Sequence, residues 1–376
     1  MLARIALAID YTGNGYRALL PMAMQESVVM NATMAVATSH HSRWQQTSDT
    51  LSRKYLRATA KALRERFKDP DLLRSQVTLA VMLLLVSFEV FSGSSRWQGH
   101  YDAIRGWIRS QDDFSRLDPF LKTWVCLIDT QRALNLGLPA APELENWMDT
   151  SVETGDGQAD FIDALFGCSA RLPKLMCLAS KLFQASKDPS ASRDNIRCQA
   201  NVLQEKIRAT KIGATSDPAV GVLCQGTGQT YPAIVGLDDE ELRRRMVATA
   251  EIFRHASHIY VYRIAHGPEE PLNEEMQASV TAALELLTLV PDTLGPGANL
   301  GWCLVVIGAE LDIDEQRVYI RSRWAGLNLL GIQNAKSGQN VLEEVWHNRD
   351  LVMQARAQPE RWQDIMQRLG ESQILV

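Results

Sequence analysis

The chain has 376 residues, more than a usual single core, so one large domain over 1–376 and two packed halves, 1–150 and 151–376, are both open. Hydrophobic residues make up 46% and charged residues 22%, a balance that excludes a disordered chain. The net charge of −5 lacks the basic excess with which proteins neutralise nucleic-acid phosphates, so direct DNA binding by this chain is not expected. Six cysteines (Cys126, Cys168, Cys177, Cys198, Cys224 and Cys303) lie no closer than nine positions apart, without the paired spacing of zinc modules. Scattered in apolar surroundings, they read as reduced core residues of an intracellular protein. The opening MLARIALAIDYTG meets Asp10 too soon for a signal peptide.

In chain order, Pro21 precedes a helix capped by Ser27, whose small residues suit close packing. His40 and His41 end it; adjacent histidines point to different sides of a helix, so they read as packing or capping residues. Tyr55 to Phe67 carries apolar residues at helical spacing, and Asp69-Pro70-Asp71 stops that helix and starts the next. Leu79 to Phe91 is apolar all round a helical wheel, broken only by Ser87 and Glu89, which predicts a buried central helix. It is too short for a membrane span of about 20 residues. Ser92-Gly93-Ser94-Ser95 ends it, and Trp97, Tyr101, Ile104 and Trp107 form the apolar face of the next helix, giving a helical hairpin.

Pro119 to Leu134 predicts another helix, followed by a turn over 136–142 and an acidic surface connection over 143–160. Phe161 to Phe183 and 194–210 read as amphipathic helices, the latter with Ile196, Ala200, Leu203 and Ile207 in line. Residues 211–236, rich in Gly, Thr and Pro, predict a long loop. Its Gly226–Thr230 stretch lacks the lysine and the preceding strand of a phosphate-cradling loop, and no cofactor is expected. Asp238 to Glu241 reads as the acidic first turn of a helix bearing Leu242, Met246, Ala250, Phe253 and Tyr260. Glu251, His255 and His258 share one face of that helix, a spacing able to hold a metal but more simply a hydrogen-bonded surface. A Pro/Gly loop over 290–302 leads into a second strongly apolar helix, Trp302 to Leu311, and Pro359, Trp362 and Gly370 punctuate a last helix. No strand pattern is predicted. The fold class is all-α, a large multi-helix domain with no substantial β-sheet.

Seven stretches in order carry a resemblance: NGYRALLPMAM (14–24), KALRERFKDP (61–70), TLAVMLLLVSFEVFSGSSRWQGHYDAIR (78–105), ALFGCSARL (164–172), AEIFRHASHIYVYRIAHG (250–267), NLGWCLVVIGAEL (299–311) and VLEEVWHNRD (341–350). Together they make the chain resemble the fungal-specific transcription factor domain, the regulatory domain that follows binuclear zinc-cluster DNA-binding modules. The resemblance implies an all-helical domain that modulates a DNA-binding partner module in the nucleus, through dimerisation or response to a metabolite. The chain begins inside that domain and its cysteines cannot build the six-cysteine cluster, so the expectation is either the regulatory part of a longer protein or a stand-alone copy that has lost its DNA reader.

Three functions remain open at this level: a regulatory module that senses a small molecule or pairs with a protein, a stand-alone biosynthetic enzyme in the cytoplasm, and a homodimerising scaffold. The enzyme would fold a polyene or terpenoid-like substrate in an apolar cavity and cyclise it without a cofactor. The candidates for chemistry are Glu89, Arg96 and His100 at the first hairpin and Glu310 on the second apolar helix, with Trp97, Trp302 and Tyr262 as ligand-binding aromatics. Burial is expected to raise the Glu89 pKa enough for it to act as an acid. The structural alternative pairs Glu89 with Arg96 and places both tryptophans in the core.

Overall fold

The structure is a computed structural model describing residues 15–147, 161–163, 165–212, 221–224, 229–231, 240–290 and 299–375. Fifteen α-helices occur among these residues. The first seven are α1 (Leu19–Gln25), α2 (Ser27–Trp44), α3 (Thr50–Arg66), α4 (Pro70–Arg74), α5 (Gln76–Phe91), α6 (Trp97–Arg109) and α7 (Pro119–Leu136). Then come α8 (Leu172–Ser186), α9 (Arg193–Arg208), α10 (Glu240–His266), α11 (Glu274–Leu287), α12 (Gly301–Gly308), α13 (Asp314–Leu329), α14 (Asn334–Met353) and α15 (Trp362–Arg368). None is long and apolar enough to cross a membrane among the described residues.

Side chains at the helix starts explain several of the boundaries. Asp69 accepts from the Asp71 and Leu72 amides, Ser75 from Val77, Asp118 from Phe120 and Asn273 from Met276, each satisfying backbone donors that a helix start leaves free. Ser27 is not a cap; the N-cap position of α2 is Glu26, with no side-chain cap bond. Gly137 ends α7 at φ +57°, and a Cβ there would lie 2.5 Å from the Phe183 ring, so both conformation and space require glycine.

One continuous buried cluster runs from Leu19 to Leu375, with Trp97, Trp124, Trp302 and Trp324 fully buried within it. Helix α5 lies inside this core and buries nearly its whole circumference. The C-terminal residues stitch the α5–α6 hairpin to α12 and α14. Trp97 Nε1 donates to Ser372 O at 2.8 Å, Gln373 Nε2 to Gly93 O at 3.0 Å, Asn334 Nδ2 to Ile374 O at 2.7 Å and Trp302 N to Leu375 O at 3.1 Å.

Two predicted elements differ. Phe161–Asp163 is a strand, β1, rather than the start of a helix. It pairs in parallel with β2 (Gly221–Cys224), which pairs antiparallel with β3 (Gln229–Tyr231), so the expected 211–236 loop contributes two strands to a small sheet. Asp163 explains why the helix is delayed. Its buried carboxylate accepts from the Leu165 and Phe166 amides at 2.8 and 2.9 Å, and its own amide donates to Cys168 O at 2.8 Å, closing a turn where helical bonds would otherwise run. The helix resumes at Leu172 with Pro173 in its first turn. Most of the acidic connection (148–160), the 213–220, 225–228 and 232–236 portions of the Gly/Thr-rich stretch, Asp238 and Asp239 after it, and residues 291–298 lie outside the described residues, as do 1–14.

Candidate functional site

Where α10, α11 and α14 meet the starts of α13 and α15 there is an open cleft of about 520 Å³. Apolar side chains from four elements form its walls: Phe183 on α8, Tyr260 and Ile264 on α10, Val306 on α12, and Val345 on α14. Trp362 at the head of α15 completes them. A volume in this range fits a drug-sized ligand.

Charge is concentrated on one side. Arg263 on α10 and Glu310, just after α12, form a paired fork, Nε to Oε1 at 2.8 Å and Nη2 to Oε2 at 2.5 Å. The remaining Arg263 nitrogen donates to Gly267 O and Glu270 O, tying the α10–α11 loop to the cleft wall. Burial alone would lower the Arg263 pKa, but the Glu310 hydrogen bonds and charge outweigh it and hold it above the usual arginine value. Arg349 donates to both Asp312 oxygens at 2.8 and 2.7 Å and lies 3.7 Å from Glu310. Asn348 holds the segment before α15: its Nδ2 donates to Gln358 O at 3.1 Å and its Oδ1 accepts from Glu360 N at 3.2 Å. That fixes Arg361, whose guanidinium lies over the Phe183 ring, 5.2 Å from its centre.

Of the residues singled out from sequence, Glu310 lines this cleft. Trp302 stands behind its wall, its ring edge-on to Tyr260 at 5.7 Å. Tyr262 braces the bordering loop, donating to Pro271 O at 2.9 Å and stacking on His266 at 4.2 Å. Glu89, Arg96, His100 and Trp97 belong to the α5–α6 hairpin and do not line the cleft. There the structure brings Glu89 to His100, with Nε2 3.9 Å from Oε1, while Arg96 is exposed.

The raised pKa expected of Glu89 is not found. Burial pushes it up, but hydrogen bonding with His100 and Ser94 and the charges of His100 and Arg96 outweigh that and leave it below the usual carboxylate value. It is held as an anion, unsuited to donate a proton near neutral pH.

On α10, Glu251 is occupied: Oε2 accepts from Arg254 Nε and Nη2 at 2.8 and 2.6 Å, and Oε1 from the Ile212 amide at 2.8 Å. Arg254 Nη2 also lies 2.9 Å from His255 Nε2, and His258 Nε2 is 3.9 Å from Glu275. Among the described residues no group of three or more His, Cys, Asp or Glu side chains is placed to hold a metal ion.

Burial, aided by neighbouring cations, lowers His255 from the usual 6.5 to about 3; burial lowers His258 to about 4 against the opposing charge of Glu275, and burial lowers His40 to about 4. The folded chain therefore keeps these imidazoles neutral while the unfolded chain begins to protonate them near 6.5, so their contribution to stability is complete above that value and is lost as the pH falls toward 4. Thermal midpoints measured from pH 7 to 4 are expected to fall across this window, and less steeply in His258→Gln; a midpoint flat to pH 4 contradicts the assignment.

Sequence reading missed Arg361, Arg349, Arg263 and Phe183 as cleft residues. The one local signal was an arginine set between Pro359 and Trp362; the rest meet only through contacts between elements distant in the chain.

Compared with known proteins, residues 3–376 match the family described as the fungal specific transcription factor domain. No curated protein and no solved structure matches the chain significantly.

Proposed function

Because the chain belongs to the fungal specific transcription factor domain family, we propose that it is a regulatory body that takes a small molecule in the α10–α15 cleft and passes its occupancy to a DNA-binding module. The observation that carries this reading is the cleft itself, apolar on one wall and lined by fixed charged groups on the other, a combination able to hold and orient a ligand. Its walls come from elements spread between α8 and α15, so a bound molecule bridges segments far apart in sequence and favours one packing of them over another. A net charge of −5 fits a chain that acts through a protein rather than on phosphates directly, and the nucleus is the compartment the reading implies. Binding is favoured over turnover because Glu310, the candidate acid that lines the cleft, is spent on Arg263.

A metabolite panel screened by thermal shift tests this. Any ligand that binds only the folded chain raises its midpoint, by the equivalent of about 2.7 kcal/mol when present at a hundred times its Kd. Thr281 lies exposed on the cleft rim, so Thr281→Trp fills the opening without entering the core. Stabilisation of the natural chain that disappears in Thr281→Trp is the expected result; shifts equal in both chains contradict it.

A further inference from the structure

Three arginines line the cleft, and two are paired with acids: Arg263 with Glu310, besides two carbonyls, and Arg349 with Asp312 and Glu310. Arg361 differs. It stacks on Phe183 and is half-buried, yet it forms no hydrogen bond and no ion pair with any described residue. Its near neighbour in sequence, Asp364, lies 3.8 Å from Lys187.

The acids around the cleft do not fill this gap. Glu310 and Asp312 serve Arg263 and Arg349, Glu270 pairs with Arg197 and His266, and Glu360 pairs with Arg368. Glu269, exposed at the rim, and Asp364 act on Arg361 through their charge, but neither reaches it as an ion pair. A guanidinium has five N–H donors in a rigid fork, and half-burying it with no fixed protein acceptor leaves those donors to water or to a ligand. Here the fork is already oriented, by the Phe183 ring beneath it and by the Asn348 clamp on the preceding backbone. A planar anion is the partner whose two oxygens match that fork. The apolar surface beside it, Phe183, Ile264, Val306 and Val345, accommodates a hydrocarbon body.

We infer that the cleft takes an apolar-bodied carboxylate, with the carboxylate oxygens accepting from the Arg361 guanidinium and the hydrocarbon part lying against Ile264, Val306 and Val345. This rests on the cleft being a ligand site, as proposed above. The pairing is a bidentate, charge-assisted one, so it gives selectivity for a carboxylate over an alcohol of the same length.

Isothermal titration of the whole chain with octanoate and with octan-1-ol tests it, comparing the natural chain, Arg361→Gln and Thr281→Trp, with circular dichroism as the control for folding. The expected result is saturable octanoate binding that weakens at least tenfold in Arg361→Gln, octan-1-ol binding that does not change with Arg361→Gln, and loss of both in Thr281→Trp. Octanoate binding equal in the natural chain and Arg361→Gln overturns the carboxylate assignment while leaving the cleft reading in place. Failure of both probes to bind the natural chain overturns the assignment and counts against the cleft as well.

Discussion

Trp97→Ala is expected to destabilise the domain by about 3–5 kcal/mol, the usual cost of deleting a fully buried tryptophan. Its ring is wholly buried, and its indole nitrogen holds Ser372 O at 2.8 Å, one of the bonds that fasten the C-terminal residues to the α5–α6 hairpin. Truncation leaves a cavity and also strips a carbonyl of its donor. Trp97→Phe keeps most of the volume and loses the hydrogen bond, so it should fall well short of that cost. Urea denaturation followed by circular dichroism reads both. A loss under about 1 kcal/mol for Trp97→Ala would show that the ring does not anchor the hairpin, since core truncations of this size rarely cost so little.

Glu310→Ala has the second large effect. Its carboxylate is almost fully buried between Arg263 and Arg349, and removing it leaves two guanidinium groups facing each other at the edge of the cleft. Removing one partner of a buried pair typically costs about 3–5 kcal/mol, because the remaining charge keeps its desolvation penalty. The paired change Glu310→Leu with Arg263→Leu should recover much of the loss, since it removes both charges together. If the single and double variants were equally unstable, the pair would not be the source of the loss.

How much of this was legible in the sequence depended on whether the determinants were local. Helix α5 could be read because thirteen consecutive residues from Leu79 are apolar but for Ser87 and Glu89, a pattern only a fully enclosed helix tolerates. The α6 face was readable from Trp97, Tyr101, Ile104 and Trp107 alone, and the α9 line from Ile196 to Ile207 likewise. The small sheet was not. β1 is three residues long, its partner strand arrives from beyond α9, and the turn that stops the helix is made by one carboxylate, Asp163, in a run whose apolar spacing still looks helical.

The site divided in the same way. Glu310 stood out as an acid ending an apolar helix, and it lies in the cleft. Glu89 stood out for the same reason at the end of α5, but His100 and Ser94 stabilise its charge from across the hairpin turn, a pairing that spacing does not reveal. Arg361 carries only one mark in the sequence, its place between Pro359 and Trp362. What sets it apart is the lack of a partner, and that shows only once α8, α14 and the head of α15 are assembled around it.

The most direct test of the account is a transcription reporter driven by this domain fused to an unrelated DNA-binding module, comparing the natural chain with Thr281→Trp at matched protein levels. The account predicts that a ligand identified by thermal shift changes the output of the natural fusion and leaves the blocked fusion fixed. Identical responses from the two fusions would contradict control through the cleft.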